Sequence, residues 1–345
     1  MRTSTSTRGP QRVPRIALIG CGAIAERYYL PALARQPHAL EALALVDQNI
    51  DRARKLAAAF GLTDCLSDYR EVLHESDGAI IALPTHLHHP IAMEFLSRGV
   101  PVLCEKPLAE SADKASEMVN QAHRTGAVLA TNYQQRLWPQ FAKVKQIVAD
   151  QSLGDPIRIR YHVGETFGWP TVSGFYFNSV ASSRGILRDR GAHVLDHICW
   201  WLEAKPTVVS SVHDSFGGSE AVAHIKFEHA NCTGEVKLSW LSSFPCKFVV
   251  EFERGSVEGD VYYPQSILLK GYSGKEKRIR LRCESHSAIG QRMVANFMGA
   301  VANGAKPMVS GSDVLESVAF TDACYAAAGQ FEMPWYEFEE VKSDS

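Results

Sequence analysis

The rhythm of apolar and polar positions changes once along this chain. Up to about residue 135, short apolar runs alternate with segments of helical period. Arg15 to Ile19 predicts a buried parallel strand, and a glycine turn then opens a helix through Leu33. Leu43 to Val46 predicts the second strand, with a helix from Asp51 to Phe60 that stops at Gly61. A strand at Gly78 to Leu83, a helix at Pro90 to Arg98 and a strand at Val100 to Cys104 follow. Ser111 is a suitable N-cap for a helix to Thr125, and Val128 to Asn132 closes the set as a strand. Strand and helix alternating at this spacing imply βαβ units with right-handed crossovers.

After Pro139 the texture changes. A helix over Gln140 to Asp150 leads into the turn Gly154-Asp155-Pro156. Period-two alternation then takes over at 157–160, 222–227, 235–238, 248–252, 267–269 and 279–281, as expected of antiparallel strands covered on one face. Helical patterns interrupt at Gly191 to Leu202 and return at Ala288 to Asn303 and Ser312 to Ala328. The expected organisation is a disordered tail over 1–14, an α/β unit over 15–135 and an α+β unit over 136–340 built on an open, mostly antiparallel sheet.

Composition narrows the class. The chain has 345 residues, 46% hydrophobic and 21% charged, which is ordinary for a globular protein able to bury its core without disulfides. A net charge of −2 without a long basic block gives no reason to expect nucleic acid. The eight cysteines are scattered with no C-x-x-C pair, so free thiols in a reducing cytoplasm are expected, without disulfides or a metal site. The Ser-, Thr- and Arg-rich start lacks an apolar core for secretion, and no later segment is apolar enough to suggest a membrane span.

The chemistry concentrates in a few places. Gly20-x-Gly22-x-x-Ala25 follows a strand and opens a helix, the context that a pyrophosphate-binding turn requires. Asp47 ends the second strand, where an acid accepts hydrogen bonds from ribose hydroxyls and repels a 2′-phosphate. The first unit is therefore expected to be a Rossmann domain for NAD, with NADP possible. Glu105-Lys106-Pro107 follows a strand at the sheet edge where such folds bind ligand, and the proline stiffens the turn presenting the lysine. Pro84-Thr85-His86-Leu87-His88-His89 is expected to border the nicotinamide side. Its histidines have no acid or cysteine partner at metal-ligand spacing.

On a helix, Asp189, His193 and Asp196 fall at i, i+4 and i+7 on one face. Hydride transfer at a carbinol carbon needs a group that moves the hydroxyl proton; an imidazole poised by a carboxylate suits that role, and a nearby lysine would stabilise the alkoxide. A helix whose polar face merely meets water is the alternative.

From about Val13 to Phe331 the chain resembles the Gfo/Idh/MocA oxidoreductases. The matching pieces are GCGAIA, Pro84 to His88, Arg98 to Leu108, Asn132-Tyr133-x-x-Arg136, Asp189-x-Gly191-x-His193-x-x-Asp196 and the region of Phe297, Gly304 and Pro307. The resemblance implies nicotinamide-dependent oxidation or reduction of a sugar, nucleotide sugar or cyclitol by a homodimer or homotetramer formed through the open sheet. It assigns catalysis to Lys106, Asp189 and His193. It puts Asp196, Arg136 and Tyr133 against substrate. The loop from Phe167-Gly168-Trp169-Pro170 through Phe175-Tyr176-Phe177 offers aromatic faces, Trp169 among them, suited to a pyranose ring or to packing between the units. Cofactor would lie over Gly20, Cys21, Gly22, Ala23, Ile24 and Asp47, with Pro84, Thr85, His88, Glu105 and Lys106 on its nicotinamide side. An NAD-recycling glycoside-cleaving enzyme and a non-catalytic NAD-binding regulator are the alternatives. Ser182-Ser183-Arg184-Gly185 departs from the glycine pair common in the family. Arg184, Arg188 and Arg190 could bind an anionic group or be solvated.

Overall fold

In a computed structural model of the chain, residues 13–170, 185–215 and 218–331 are described. The expected tail up to residue 12, the Ser182–Arg184 stretch and the aromatic run Phe175-Tyr176-Phe177 lie outside the described residues.

The first unit holds a six-stranded parallel sheet of β1 (Ile16–Ile19), β2 (Leu43–Val46), β3 (Cys65–Leu66), β4 (Gly78–Ile81), β5 (Val102–Cys104) and β6 (Leu129–Thr131). Their order is β3-β2-β1-β4-β5-β6, the doubly wound arrangement whose switch point falls between β1 and β4. Every residue of β1, β2 and β4 is buried, which is why these strands read as continuous apolar runs. Helices α1 (Leu30–Leu33), α2 (Ile50–Phe60), α3 (His88–Leu96) and α4 (Ala112–Thr125) cover the faces. Ser111 caps α4 by accepting from the Lys114 N–H, and Gly61 ends α2 at φ 69°. The first helix widens into a π turn over Ala25–Tyr29 just before Pro31.

The second unit begins with α5 (Pro139–Ala149) and wraps a nine-stranded sheet around α6 (Ile186–Leu202). Its strands are β7 (Pro156–Gly164), β8 (Thr207–His213), β9 (Val222–His229), β10 (Cys232–Ser239), β11 (Phe244–Phe252), β12 (Gly255–Asp260), β13 (Ser266–Gly271), β14 (Glu276–Arg280) and β15 (Ala328–Gln330). Most neighbours run antiparallel, but β7 pairs parallel with β10, and β15 parallel with β8. Strands β8 and β12 have no clean alternation in the sequence. Serines and an exposed Val209 interrupt β8, and β12 contains two glycines, so pairing with neighbours rather than propensity makes them strands.

Helix α6 starts at Ile186, five residues before the apolar pattern suggested, so Asp189 lies in its first turn. Of its 17 residues 13 are buried, which rules out a face that merely meets water. The last helices among the described residues, α7 (His286–Asn303) and α8 (Leu315–Ala326), return to the first unit. Val294 and Phe297 of α7 pack with Ile16, Leu18 and Tyr28, while Val314 and Val318 near α8 join Met118 and Val119 of α4.

One ion pair fixes α6 relative to the first sheet. Arg136, just beyond β6, donates through Nε to Asp196 Oδ2 at 2.8 Å and through Nη2 to Asp196 Oδ1 at 2.7 Å. The Ser317 hydroxyl adds a third bond to Oδ1 at 2.6 Å, and the Asp313 carbonyl accepts from Arg136 at 2.8 Å. Asp196 is 1% exposed. Asp196 and Arg136, expected against substrate, are placed in this buried pair, where a carboxylate so enclosed and so fully engaged is suited to anchoring the helix. Asp196→Asn is expected to lower the unfolding free energy by about 3–5 kcal/mol, because it strands a buried guanidinium. Urea denaturation checks this, and a normal midpoint accompanied by a raised KM would return Asp196 to the substrate site.

Candidate active site

The turn after β1 is built to receive a phosphate chain. Gly20 has φ +101°, and a Cβ there would lie 2.3 Å from the Ala82 carbonyl oxygen. Gly22 has only open space where its Cβ would point, so ligand atoms can approach the backbone. Cys21, Ala23 and Ile24 continue the turn into the helix, whose first N–H groups have no intrahelical acceptor. Asp47 Oδ2 accepts the Cys21 N–H at 2.9 Å and Oδ1 accepts the Asn49 N–H at 2.8 Å. These bonds hold the carboxylate beside the turn, with Arg52 at 3.6 Å from Oδ2. The residues present therefore fit a dinucleotide.

At the carboxyl ends of β4 and β5 the structure adds detail that the sequence did not carry. Glu105, 8% exposed, accepts from the Tyr29 hydroxyl at 2.8 Å, Asn132 Nδ2 at 2.7 Å and the Lys106 N–H at 3.1 Å. It thereby fixes the turn that carries Lys106. Pro84 and Thr85 enter a short 3-10 turn after β4. His88, expected on the cofactor side, is instead fully buried beneath that turn. Its Nδ1 lies 2.8 Å from the Pro107 carbonyl and its Nε2 2.8 Å from the Leu83 carbonyl, so it clips the two strand ends together. Burial lowers its basicity, against two carbonyls that favour the proton.

Lys106 reaches across to α6. Its Nζ donates to Asp189 Oδ1 at 2.6 Å and to the Asp189 carbonyl at 3.0 Å. Burial alone would raise the Asp189 pKa, but the Lys106 and Arg190 cations outweigh it and hold the carboxyl below its usual range. His193, one turn along, is 7% exposed and meets the edge of the Tyr133 ring with centroids 5.9 Å apart. Tyr133 is itself buried, so it packs the imidazole in place.

Asp189 was expected to orient His193 and raise its basicity. That is corrected: the carboxylate is bonded to Lys106, and His193 Nδ1 is buried with no hydrogen-bond partner among the described residues. Burial first, then the cations Lys106 and Arg190 and the rings of His197 and His286, push its pKa well below the ordinary imidazole value.

The imidazole lines a small cavity with Gln135, Val163, Arg190, Val261 and Tyr262. Arg190 pairs with Glu165 at 2.5 Å, and the Tyr262 hydroxyl donates to the same Glu165 oxygen at 3.0 Å. Arg188 is separate: it is buried, bonds the Glu110 carbonyl, lies 3.4 Å from Asp322 and covers the Tyr325 ring, tying the two units together. Trp169 follows β7 and stacks under Arg27 of the first helical segment at 5.9 Å, so it bridges the units as well. Glu165 and Tyr262 escaped the sequence reading because each lies just beyond a strand with no motif around it.

Residues 14–133 match the model described as an oxidoreductase family with an NAD-binding Rossmann fold, and residues 141–258 match the Gfo/Idh/MocA C-terminal domain. A dTDP-3,4-didehydro-2,6-dideoxy-alpha-D-glucose 3-reductase of Streptomyces violaceoruber is 35% identical over 149 residues, 42% of either chain. An inositol 2-dehydrogenase of Arthrobacter sp. (strain FB24) is 31% identical over 152 residues, 43% of this chain and 44% of its own. The chain spans about half the length of the curated relatives it matches. A 3-ketoreductase from Actinomadura kijaniata, solved with NADP and TDP-benzene, shares the fold at TM-score 0.79 and 21% identity over 94% of this chain and all of its own. The glycine turn and the Lys106 turn fall within the first matched stretch and α6 within the second, and the chain belongs to the Gfo/Idh/MocA oxidoreductase family, with an NAD-binding Rossmann domain as its first unit.

Proposed function

We propose that this protein is a nicotinamide-dependent dehydrogenase or reductase acting on a carbinol or keto carbon of a sugar, nucleotide sugar or cyclitol. The observation that carries the reading is the meeting of Lys106, from the carboxyl edge of the parallel sheet, with Asp189 on α6 beside a cavity lined by His193. Three parts needed for alcohol chemistry thus converge: a cradle for the dinucleotide, a cation for a developing alkoxide, and an imidazole for the proton.

Nicotinamide supplies or takes the hydride when bound. The chain's own part is positioning, charge and the proton. Asp189 holds the Lys106 ammonium in place, so the donor needs little reorganisation as negative charge develops on the substrate oxygen. His193 faces the cavity as a neutral imidazole, ready to accept the hydroxyl proton in oxidation and to return it in reduction. The buried walls exclude water from that exchange. Assembly into a homodimer or homotetramer through the outer face of the nine-stranded sheet, in the cytoplasm, belongs to the same proposal. That face carries compensating pairs, Arg160 with Glu251 and Lys247 with Glu258.

NAD is the proposed cofactor, since Asp47 places an acid where a 2′-phosphate would lie. Asp47→Ser removes that acid and releases Arg52 toward a phosphate, so NADPH affinity relative to NADH should rise about tenfold or more. Fluorescence titration with both reduced cofactors measures the ratio, and a native protein that prefers NADPH would overturn the assignment.

Lys106→Met should leave NADH affinity near normal and cut turnover by roughly 10²-fold, the scale of a lost charge-stabilising donor. Turnover within a few-fold of native would make Lys106 a structural residue.

The pH dependence follows from the charges around His193. Because its folded pKa is depressed, the neutral form persists on acidification, and the acid limb of the rate profile should lie below the ordinary imidazole range. Lys106→Met removes a cation that disfavours the imidazolium, so the limb should move to higher pH. NMR titration of the His193 ring reads the same shift without turnover. A His193→Ala profile with that limb intact would assign the proton to another group.

A further inference from the structure

Beneath the Lys106 turn lies a network whose outer members have no part in the chemistry described so far. Tyr28 and Tyr29 end the π turn that follows the phosphate cradle, and both are buried. The Tyr29 hydroxyl donates to Glu105 Oε1 at 2.8 Å, and Asn132 Nδ2 donates to the same oxygen at 2.7 Å. The other oxygen, Oε2, accepts the Lys106 N–H at 3.1 Å. The Tyr28 hydroxyl donates to Asn132 Oδ1 at 3.2 Å, which turns the amide's Nδ2 toward Glu105. Successive side chains on an α-helix diverge by about 100°, and a π turn narrows that angle. Two consecutive tyrosines thus reach Asn132 and Glu105, which follow the neighbouring strands β6 and β5. Gly290 on α7 leaves room for them, since a Cβ there would lie 2.9 Å from Tyr28 Cε2. Burial holds both phenols well above their ordinary pKa, so they stay protonated and keep donating.

We infer that Tyr29 is a positioning residue for the reaction, holding the Glu105 carboxylate so that the Lys106 turn aims its ammonium at Asp189 and the substrate oxygen. Tyr28 and Asn132 complete the brace. The inference rests on the oxidoreductase reading above and goes deeper into the same site. All three donors to Glu105 are neutral, so direction rather than charge fixes the carboxylate. A lysine stem is flexible, and the aim of its ammonium is set by what holds its two ends. Asp189 holds one end and Glu105 the other. Without the Tyr29 hydroxyl, Oε1 keeps only Asn132, and the carboxylate can rock about that bond. A small displacement of a charge-stabilising donor slows turnover while leaving cofactor binding in place. Both tyrosines belong to the helical segment that the glycine turn opens, so one element suits the cofactor phosphates and braces the lysine.

Acetylation of the full-length protein by acetic anhydride, read lysine by lysine by peptide mass spectrometry, follows Lys106 without a substrate. Lys145 is the internal control, since it is equally shielded and paired with Glu203 at the far end of α6. Tyr29→Phe, which keeps the buried ring, should speed labelling of Lys106 about fivefold, the scale of one hydrogen bond, and leave Lys145 unchanged. Tyr28→Phe, one bond further from Glu105, should act in the same direction and by less. Turnover with NAD is then measured on glucose, myo-inositol and UDP-glucose. On whichever is oxidised, Tyr29→Phe should lower kcat about tenfold while KM and NADH affinity stay within a few-fold of native. In a Lys106→Met background the same change should cost less than about twofold, because no lysine is left to aim. Lys106 labelling that is unchanged, or that rises only together with Lys145, would overturn the inference, as would equal costs in the two backgrounds. Each of these leaves the oxidoreductase reading in place. Absence of NAD reduction by native protein with all three compounds counts against that reading instead, and the labelling still decides whether Tyr29 holds Lys106.

Discussion

The geometry of the site depends on a guanidinium and a carboxylate withdrawn from water together. Arg136 lies just beyond the last strand of the parallel sheet and Asp196 midway along α6, and their bidentate contact sets how far that helix stands from the sheet edge. Desolvating two charges is expensive, and only the full set of bonds from Ser317 and to the Asp313 carbonyl offsets it. Such a pair adds little to stability over an apolar contact. It has one good geometry, however, and seven residues earlier on the same helix that geometry brings Asp189 to Lys106.

From that fixed point the charges around the cleft fall into matched sets. Lys106 is held by Asp189, Arg190 by Glu165, and Arg188 by Asp322 and a backbone carbonyl. Among the described residues, His193 stands with no carboxylate bonded to its Nδ1. Desolvation and neighbouring cations therefore determine its protonation, and it stays neutral. The usual picture of an acid propping up an imidazole is replaced by one in which the acid serves the lysine. The cleft is rich in charge, yet it offers little net charge to a ligand.

What the sequence made legible was local. A strand, a glycine turn and a helix in immediate succession are determined by residues within a few positions of one another, so the phosphate cradle and the Lys106 turn were readable. The shared face of Asp189 and His193 was readable because helical period is local too. Their partners were not. Asp196 matches a substrate-contact motif in spacing, and only the packing of Arg136 and Ser317 against it makes it an anchor. His88 sits in a polar-looking loop, but two carbonyls from separate strand ends enclose it. Glu165 and Tyr262 are nearly a hundred residues apart and meet only because β7 and β12 flank β11 in the second sheet. Strands β8 and β12 were missed for a related reason: their pairing supplies the order that their composition lacks.

The return of α7 and α8 to the first sheet bears on how the chain is made. Phe297 and Val294 cover strands whose residues leave the ribosome some 280 positions earlier, and the Thr131 N–H finds its acceptor in the Val309 carbonyl. A nascent chain stopped after α4 would display Ile16, Leu18 and Leu103 with part of their lid still unsynthesised. The nucleotide-binding half is thus complete only once the chain has been made through α7 and Val309. Until then its apolar underside is a surface for chaperones to hold, and early release would invite aggregation.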